Sequence, residues 1–288
     1  MSVSKSSDII DEGKAACTVC ANSCRLSEGE TGRCRARTCR DGRIICSNYG
    51  MVTSLALDPI EKKPLARFMP GSMVLSVASY GCNLRCPFCQ NWEISMAAAG
   101  DVQTRYLTPE QLCSLAAELG PQGNIGIAYT YNEPLTGYEF VRDTAELIRG
   151  AGMKNVLVSN GSVSSMVTAE IIPLMDAMNI DLKGFSAECY EKVGGDFVQT
   201  RKFIEAAAAS DTHLEVTTLI VPGISDSAEL MEEEARWLAS LDKDIPLHIT
   251  RFFPRYKMER EKPTDIGLIH RLAETAGAYL DNVFIGNC

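Results

Sequence analysis

Cys82, Cys86 and Cys89 stand within eight residues, in the run Cys-Asn-Leu-Arg-Cys-Pro-Phe-Cys. Three thiolates at that spacing can hold one metal or metal cluster without help from elsewhere. A structural zinc ion asks for a fourth ligand and closed tetrahedral coordination. A [4Fe–4S] cubane held by three cysteines instead keeps one iron open to an exogenous ligand. A second set, Cys17-x2-Cys20-x3-Cys24-x9-Cys34, precedes the first. Four thiolates suit zinc or a second cubane in principle. The spacing lacks the doubled Cys-x2-Cys of a zinc ribbon, which favours the cubane. Cys39 and Cys46 read as free thiols, Cys113 and Cys189 as core residues, and Cys288 is terminal.

Composition narrows what those thiols are for. The chain has 288 residues, 45% hydrophobic and 23% charged, as an ordinary folded domain does. A formal charge of −9 argues against nucleic acid or an anionic membrane as the main partner. No stretch approaches the roughly 20 apolar residues of a membrane span, and Met1–Asp8 lacks the apolar core of a secretory signal. A cytoplasmic location is expected, where structural disulfides explain 12 cysteines poorly and metal or redox chemistry explains them better. Six of the cysteines fall between Cys17 and Cys46, among Arg25, Arg33, Arg35, Arg37, Arg40 and Arg43. That stretch cannot bury a core of its own, so a bound metal is the expected means of ordering it. Its arginines read as a solvated surface. Residues 1–60 are therefore taken as a Cys-rich segment with an auxiliary metal site, and 61–288 as the main domain.

The elements that must position the thiols follow from periodicity. Short apolar runs lie at Val74–Ala78, Ile125–Tyr129, Val156–Ser159, Met178–Leu182, Leu214–Leu219, Leu247–Thr250 and Val283–Ile285. Each is bounded by polar residues or Gly, as buried parallel strands are. Helix signals lie between them: a capping box with Pro at Thr108–Gln111, a periodic segment Tyr138–Arg149, and caps at Asp226 or Ser227 and at Thr264. Strands alternating with helices imply a parallel α/β sheet with right-handed crossovers, closed or partly closed into a barrel. Reactive groups of a barrel gather at the C-terminal strand ends. Those ends here carry Cys82, Tyr131-Asn132-Glu133, Ser159-Asn160, Asp181-Leu-Lys183 and His248-Ile-Thr-Arg251.

The motifs also support a resemblance. Asp58-Pro-Ile-Glu-Lys-Lys-Pro-Leu, Pro70-Gly-Ser, Gly81 through Ser95, Thr130-Tyr-Asn-Glu-Pro, Ser159-Asn-Gly, Asn179-Ile-Asp-Leu-Lys-Gly-Phe and Glu215-Val-Thr-Thr-Leu-Ile-Val-Pro-Gly occur in order. Over about residues 17 to 286 the chain resembles the AmmeMemoRadiSam-system radical S-adenosylmethionine (radical SAM) enzymes, which are similar to pyruvate formate-lyase activating enzymes. The resemblance implies a partial (β/α)6 TIM-like barrel with one [4Fe–4S] cluster and S-adenosylmethionine. Cys82, Cys86 and Cys89 would ligate three irons, and Phe88 would pack near the adenine. Asn91, Tyr131, Asn132 and Glu133 would line the cofactor, with Glu133 on its amino group. Ser159, Asn160, Asp181 and Lys183 would contact its ribose and carboxylate. A buried ion pair is the alternative for Asp181 and Lys183. Glu215 and Thr217 alternate the same way, and His248 and Arg251 are candidates to face the substrate, although a single histidine is more often a satisfied core or loop residue.

The resemblance has departures. Ala21-Asn22 stands where relatives often carry Pro-His, which leaves no histidine ligand beside Cys17, Cys20, Cys24 and Cys34. Pro70-Gly-Ser-Met-Val-Leu-Ser replaces the Asp-Gly-Pro-Gly-Ile-Arg segment typical of activases. The expected function is generation of a 5′-deoxyadenosyl radical that takes hydrogen from an unidentified protein or small molecule. An electron donor such as flavodoxin or ferredoxin is implied. The alternatives are an activase that places a glycyl radical on a partner enzyme, and a non-enzymatic iron–sulfur scaffold or electron carrier.

Overall fold

The structure is a computed structural model that describes residues 13–288, with Ile9 and Ile10 by backbone alone. Met1–Asp8, read above for the lack of a secretory core, lies outside the described residues. All seven apolar runs are strands of one sheet. Its members are β1 (Ser54–Pro59), β2 (Met73–Ala78), β3 (Asn124–Tyr129), β4 (Lys154–Ser159), β5 (Ala177–Leu182), β6 (His213–Ile220), β7 (Leu247–Arg251) and β8 (Val283–Gly286). β2 to β8 are parallel and adjacent in chain order, and β1 pairs antiparallel along β2. The two edges, β1 and β8, are not joined, so the barrel is partial. Because β1 belongs to this sheet, the barrel begins before residue 61.

Six helical crossovers connect the parallel strands. They run through α1 (Trp92–Ser95) with α2 (Pro109–Glu118), α3 (Tyr138–Gly150), α4 (Ser165–Ile171), α5 (Ala187–Val193) with α6 (Phe197–Ala208), α7 (Ala228–Leu241) and α8 (Ile266–Gly277). The Thr108–Gln111 capping box opens α2, and Ser227 caps α7. The cap of α8 is Asp265 rather than Thr264. Thr264 is one residue too early, and its hydroxyl donates to the Ile220 carbonyl at 2.5 Å. Among the described residues no helix is long and apolar enough to cross a membrane.

Inside the sheet, Val74, Ala128, Val156 and Ala177 pack with Ile60 and Leu65 in a small apolar cluster. The segment after β1 thereby plugs one end. Asn179 Nδ2 donates to the Pro64 carbonyl at 2.8 Å, and the Ala66 and Arg67 amides donate to Glu215 at 2.9 and 2.8 Å. The opposite end, where β2 to β7 finish, stays open. The Cys-rich segment lies against it with little regular structure, chiefly the hairpin Arg37–Arg40/Arg43–Cys46.

That segment is anchored by Arg37, which corrects the solvated reading of its arginines. The side chain is 1% exposed and forms a bidentate pair with Glu139 of α3 at 2.8 and 2.5 Å. Its Nε donates to the Thr136 carbonyl at 3.0 Å. Arg25, Arg33, Arg40 and Arg43 are exposed as expected.

Candidate active site

The Cys82–Cys89 loop leaves the end of β2 at Gly81. Gly81 has φ +90, a left-handed conformation for which glycine is suited, and its amide donates to the Ile94 carbonyl at 2.9 Å. The loop is tied to two other segments by backbone bonds and closed by one turn of its own. Cys82 N donates to Cys34 O at 3.2 Å, Arg85 N to Val193 O at 2.7 Å, and Cys89 N to Cys86 O at 3.2 Å. Burial pushes the Cys86 thiol up to about 12, against the pull of the Lys183 ammonium. Burial, reinforced by the Glu133 carboxylate, raises Cys82 further, and burial also raises Cys89. A bound metal reverses that tendency, because a coordinating thiol gives up its proton.

Beside the loop lies Glu133, 2% exposed. Its Oε1 accepts from Ser159 Oγ at 2.8 Å and Leu135 N at 3.0 Å, and its Oε2 from Asn160 N at 2.8 Å. All three donors are neutral. Burial lifts this carboxyl to about 7, although the donors pull the other way. Asn160 Nδ2 donates to Asn83 Oδ1 at 2.9 Å, and Asn91 Nδ2 to the Tyr131 carbonyl at 2.8 Å. Phe88 is buried behind the loop.

Across the opening, Lys183 Nζ lies 3.0 Å from Asp181 Oδ2. Burial alone would lower the Lys183 ammonium, but Asp181 and the nearby Cys86 more than offset it and the net shift is upward. The two residues form an ion pair that is still partly open to solvent, so pairing and cofactor contact are compatible. Thr217 is in register with Asp181, and its buried hydroxyl has no hydrogen-bond partner among the described residues.

Three expected site residues are set elsewhere. Glu215 faces the plugged end, where His213 and His248 Nε2 lie 2.8 and 2.5 Å from its oxygens. With the Ala66 and Arg67 amides, these donors hold its carboxyl at about 2, overcoming the effect of burial. His248 is thus committed to Glu215 rather than facing a substrate. Arg251 Nε donates to the Thr264 carbonyl at 2.7 Å, and its guanidinium covers the Phe253 ring at 4.9 Å. It holds the loop after β7.

A buried group that sequence reasoning did not assemble lies between the plug and the open end. Asp58 Oδ2 accepts from Tyr131 Oη at 2.5 Å, Lys63 Nζ at 2.9 Å and Ser76 Oγ at 2.9 Å. Lys63 is 1% exposed and lies over the Tyr131 ring at 4.6 Å. Tyr131 itself has φ +75, unusual for a bulky residue. The Asp58-Pro-Ile-Glu-Lys-Lys run was the available signal, but nothing in it names Tyr131.

Cys17, Cys20, Cys24 and Cys34 line one small cavity, with Arg37 and Asn83 in its wall. Burial raises the Cys34 thiol to about 12 and also raises Cys17 and Cys20, while Arg37 pulls Cys17 and Cys34 down. Among the described residues no three His, Cys, Asp or Glu side chains converge closely enough to hold a single metal ion. A cubane demands less convergence, since each cysteine takes its own iron. At the loop, three cysteines beside a buried carboxylate that has only neutral partners fit such a cluster with a cationic ligand.

Comparison with known proteins agrees with this geometry. The family model of the radical SAM superfamily matches residues 76–238. An uncharacterized protein of Methanocaldococcus jannaschii is 38% identical over 283 residues, covering 96% of this chain and 83% of its own. Pyruvate formate-lyase-activating enzyme of Clostridium pasteurianum is 25% identical over 169 residues, 57% of this chain and 67% of its own. Among solved structures, Streptococcus suis SuiB bound to S-adenosylmethionine superposes with a TM-score of 0.51 at 14% identity, over 73% of this chain and 45% of its own.

Proposed function

The chain belongs to the radical SAM superfamily, and from that premise we propose that it binds S-adenosylmethionine against Glu133 and a [4Fe–4S] cluster at Cys82, Cys86 and Cys89. When bound, the pair would supply a 5′-deoxyadenosyl radical, which takes a hydrogen atom from the substrate, with methionine as the other product. The observation that carries the reading is Glu133. A buried carboxylate with three neutral donors lacks the positive charge that an ammonium group brings.

The remaining residues have defined tasks on this reading. Ser159 and the Asn160 amide hold the Glu133 oxygens in place. Asn91 ties the loop beyond Cys89 to the Tyr131 backbone. Lys183 keeps its charge beside Cys86 and Cys89, where it favours the thiolates. Cys17, Cys20, Cys24 and Cys34 would hold a second iron–sulfur cluster, favoured over zinc by the spacing of the set and its buried cavity.

Anaerobically reconstituted, dithionite-reduced protein is expected to convert S-adenosylmethionine to 5′-deoxyadenosine. No product above a Cys82→Ala control would end the reading. Iron counting in a Cys82/Cys86/Cys89 triple alanine variant tests the second site, since residual cubane absorption excludes zinc there. Similarity to the clostridial activating enzyme favours a protein as substrate, with a glycyl radical as the product. A glycyl-radical EPR signal on a candidate partner protein would decide that.

A further inference from the structure

The run from Asp58 to Arg67 makes contacts at two levels of the barrel. At the plugged end, the Pro64 carbonyl accepts from Asn179, and the Ala66 and Arg67 amides donate to Glu215. Asp58 and Lys63 reach instead toward the open end, to Tyr131, two residues beyond β3. The plug accounts for the first set of contacts and leaves the second without a purpose.

Tyr131 is where the chain reverses after β3. Its φ of +75 suits glycine and is costly for a ring-bearing residue, because the Cβ crowds the backbone there. Such a conformation persists only where the surroundings over-determine it. Here the Oη donates to Asp58 Oδ2 at 2.5 Å, and Lys63 Nζ lies 3.5 Å from the Oη and 4.6 Å from the ring centroid. Burial would raise the Asp58 carboxyl, but the Tyr131, Lys63 and Ser76 donors outweigh it and hold it well below the ordinary carboxylate range. Burial and the Asp58 bond push the phenol up to about 12, so it keeps the proton it donates.

The residues that follow depend on this reversal. Asn132 Nδ2 donates to the Gly81 carbonyl at 3.1 Å, and Asn132 Oδ1 accepts from Ser79 N at 3.0 Å. Glu133 N donates to the same Gly81 carbonyl at 3.3 Å, directly before Cys82. An extended φ at position 131 would lead the chain away from Gly81 and break these bonds.

We propose that Asp58 and Lys63 are positioning residues for the cofactor site, latching the Tyr131 phenol so that its left-handed turn sets Glu133 beside the Cys82–Cys89 loop. The proposal rests on the reading of Glu133 as the partner of the S-adenosylmethionine ammonium group, and extends it to a pair that touches no cofactor. Tyr131 acts through its backbone, with its ring directed to β1 and the plug. The strain at position 131 is offset by a bond from a strand that enters the barrel before the cysteine loop does.

Equilibrium dialysis of S-adenosylmethionine against anaerobically reconstituted protein, beside a thermal melt, tests the latch. Tyr131→Phe keeps the ring over Lys63 but loses the phenol bond, and the dissociation constant is expected to rise about tenfold. Asp58→Leu/Lys63→Met removes the acceptor without stranding a buried charge. It should raise the constant as much, with no further rise when combined with Tyr131→Phe. Tyr131→Gly takes φ +75 without strain, so it should bind at least about threefold more tightly than Tyr131→Phe although it melts lower. A side chain that only stabilises the barrel, or that touches the cofactor, gives the reverse order. Tyr131→Gly binding no better than Tyr131→Phe would overturn the proposal, as would Tyr131→Phe binding like the unaltered protein. If the unaltered protein binds no S-adenosylmethionine, the cofactor reading falls, and amide hydrogen exchange still decides the latch. Faster exchange at Asn132 and Glu133 in Tyr131→Phe, slowed again in Tyr131→Gly, upholds it, and unchanged exchange in Tyr131→Phe overturns it.

Discussion

The Cys82 amide donates to the Cys34 carbonyl at 3.2 Å, so the two cysteine sets are joined through backbone at one residue of each. Gly81 permits that approach. A Cβ there would stand 2.5 Å from the Cys34 oxygen, on a backbone already at φ +90. The auxiliary segment and the barrel loop thus share a hydrogen bond that neither could form with a larger residue at position 81.

Gly81→Ala is therefore expected to cost roughly 1–3 kcal/mol from the strained conformation, with the clash adding to it. Iron per chain should fall at both sets together, checked by iron analysis beside a thermal melt. Loss confined to the Cys82 set would show that the bond does not couple them.

Glu133→Gln keeps the shape and removes the charge, and its amide nitrogen can no longer accept the bonds that one carboxylate oxygen takes from Ser159, Leu135 or Asn160. The dissociation constant for S-adenosylmethionine should rise about tenfold or more, the usual worth of a charge-assisted bond. In the unaltered protein affinity should strengthen as pH rises through about 7, where the carboxyl ionises, and the variant should show no such dependence. Folding has the opposite sign. The native carboxyl binds its proton more tightly than the ordinary 4.5, so its contribution is complete below that value and is lost as pH rises through about 7. Equilibrium dialysis across pH 6 to 8 checks the binding arm.

How much of this was legible depends on what alternation can report. Seven apolar runs became seven strands because parallel strands buried on both faces leave that signature. Glu133, Ser159, Asn160, Asp181 and Lys183 fall at the open end because each lies at a strand's C-terminal end or within four residues beyond it. Alternation gives the face of a strand but not the height within the barrel. Glu215 and Thr217 share a face, yet Glu215 is nearer the strand start, where the Ile60–Phe68 plug supplies its donors. Arg37 is indistinguishable in sequence from its exposed neighbours, since its partner Glu139 lies far along the chain. The Asp58–Lys63–Tyr131 group was hidden for the same reason.

Glu215→Gln separates support from catalysis. Its carboxyl is held at about 2, below the ordinary 4.5, so the stability it confers is present above 4.5 and lost as pH falls toward 2. The variant should be less stable at pH 7 by on the order of 3 kcal/mol, and the difference should close in acid. Affinity for S-adenosylmethionine should not change. Denaturant melts at pH 7 and pH 3 measure the first claim, and a weakened affinity would put Glu215 back in the site.

Arg37 and Glu139 are both 1% exposed, so removing either leaves the other as a buried, uncompensated charge. Arg37→Met and Glu139→Gln should each cost about 3–5 kcal/mol, whereas Arg37→Met with Glu139→Leu should cost much less than their sum. The pair also ties the Cys-rich segment to α3, and Arg37 favours the thiolates of Cys17 and Cys34. The single variants should therefore expose residues 13–50 to limited proteolysis and lower the iron held there. The apolar double variant should restore protease resistance without restoring the iron, because packing returns and the cation does not. Recovery of both together would mean that Arg37 serves the cavity only by folding it.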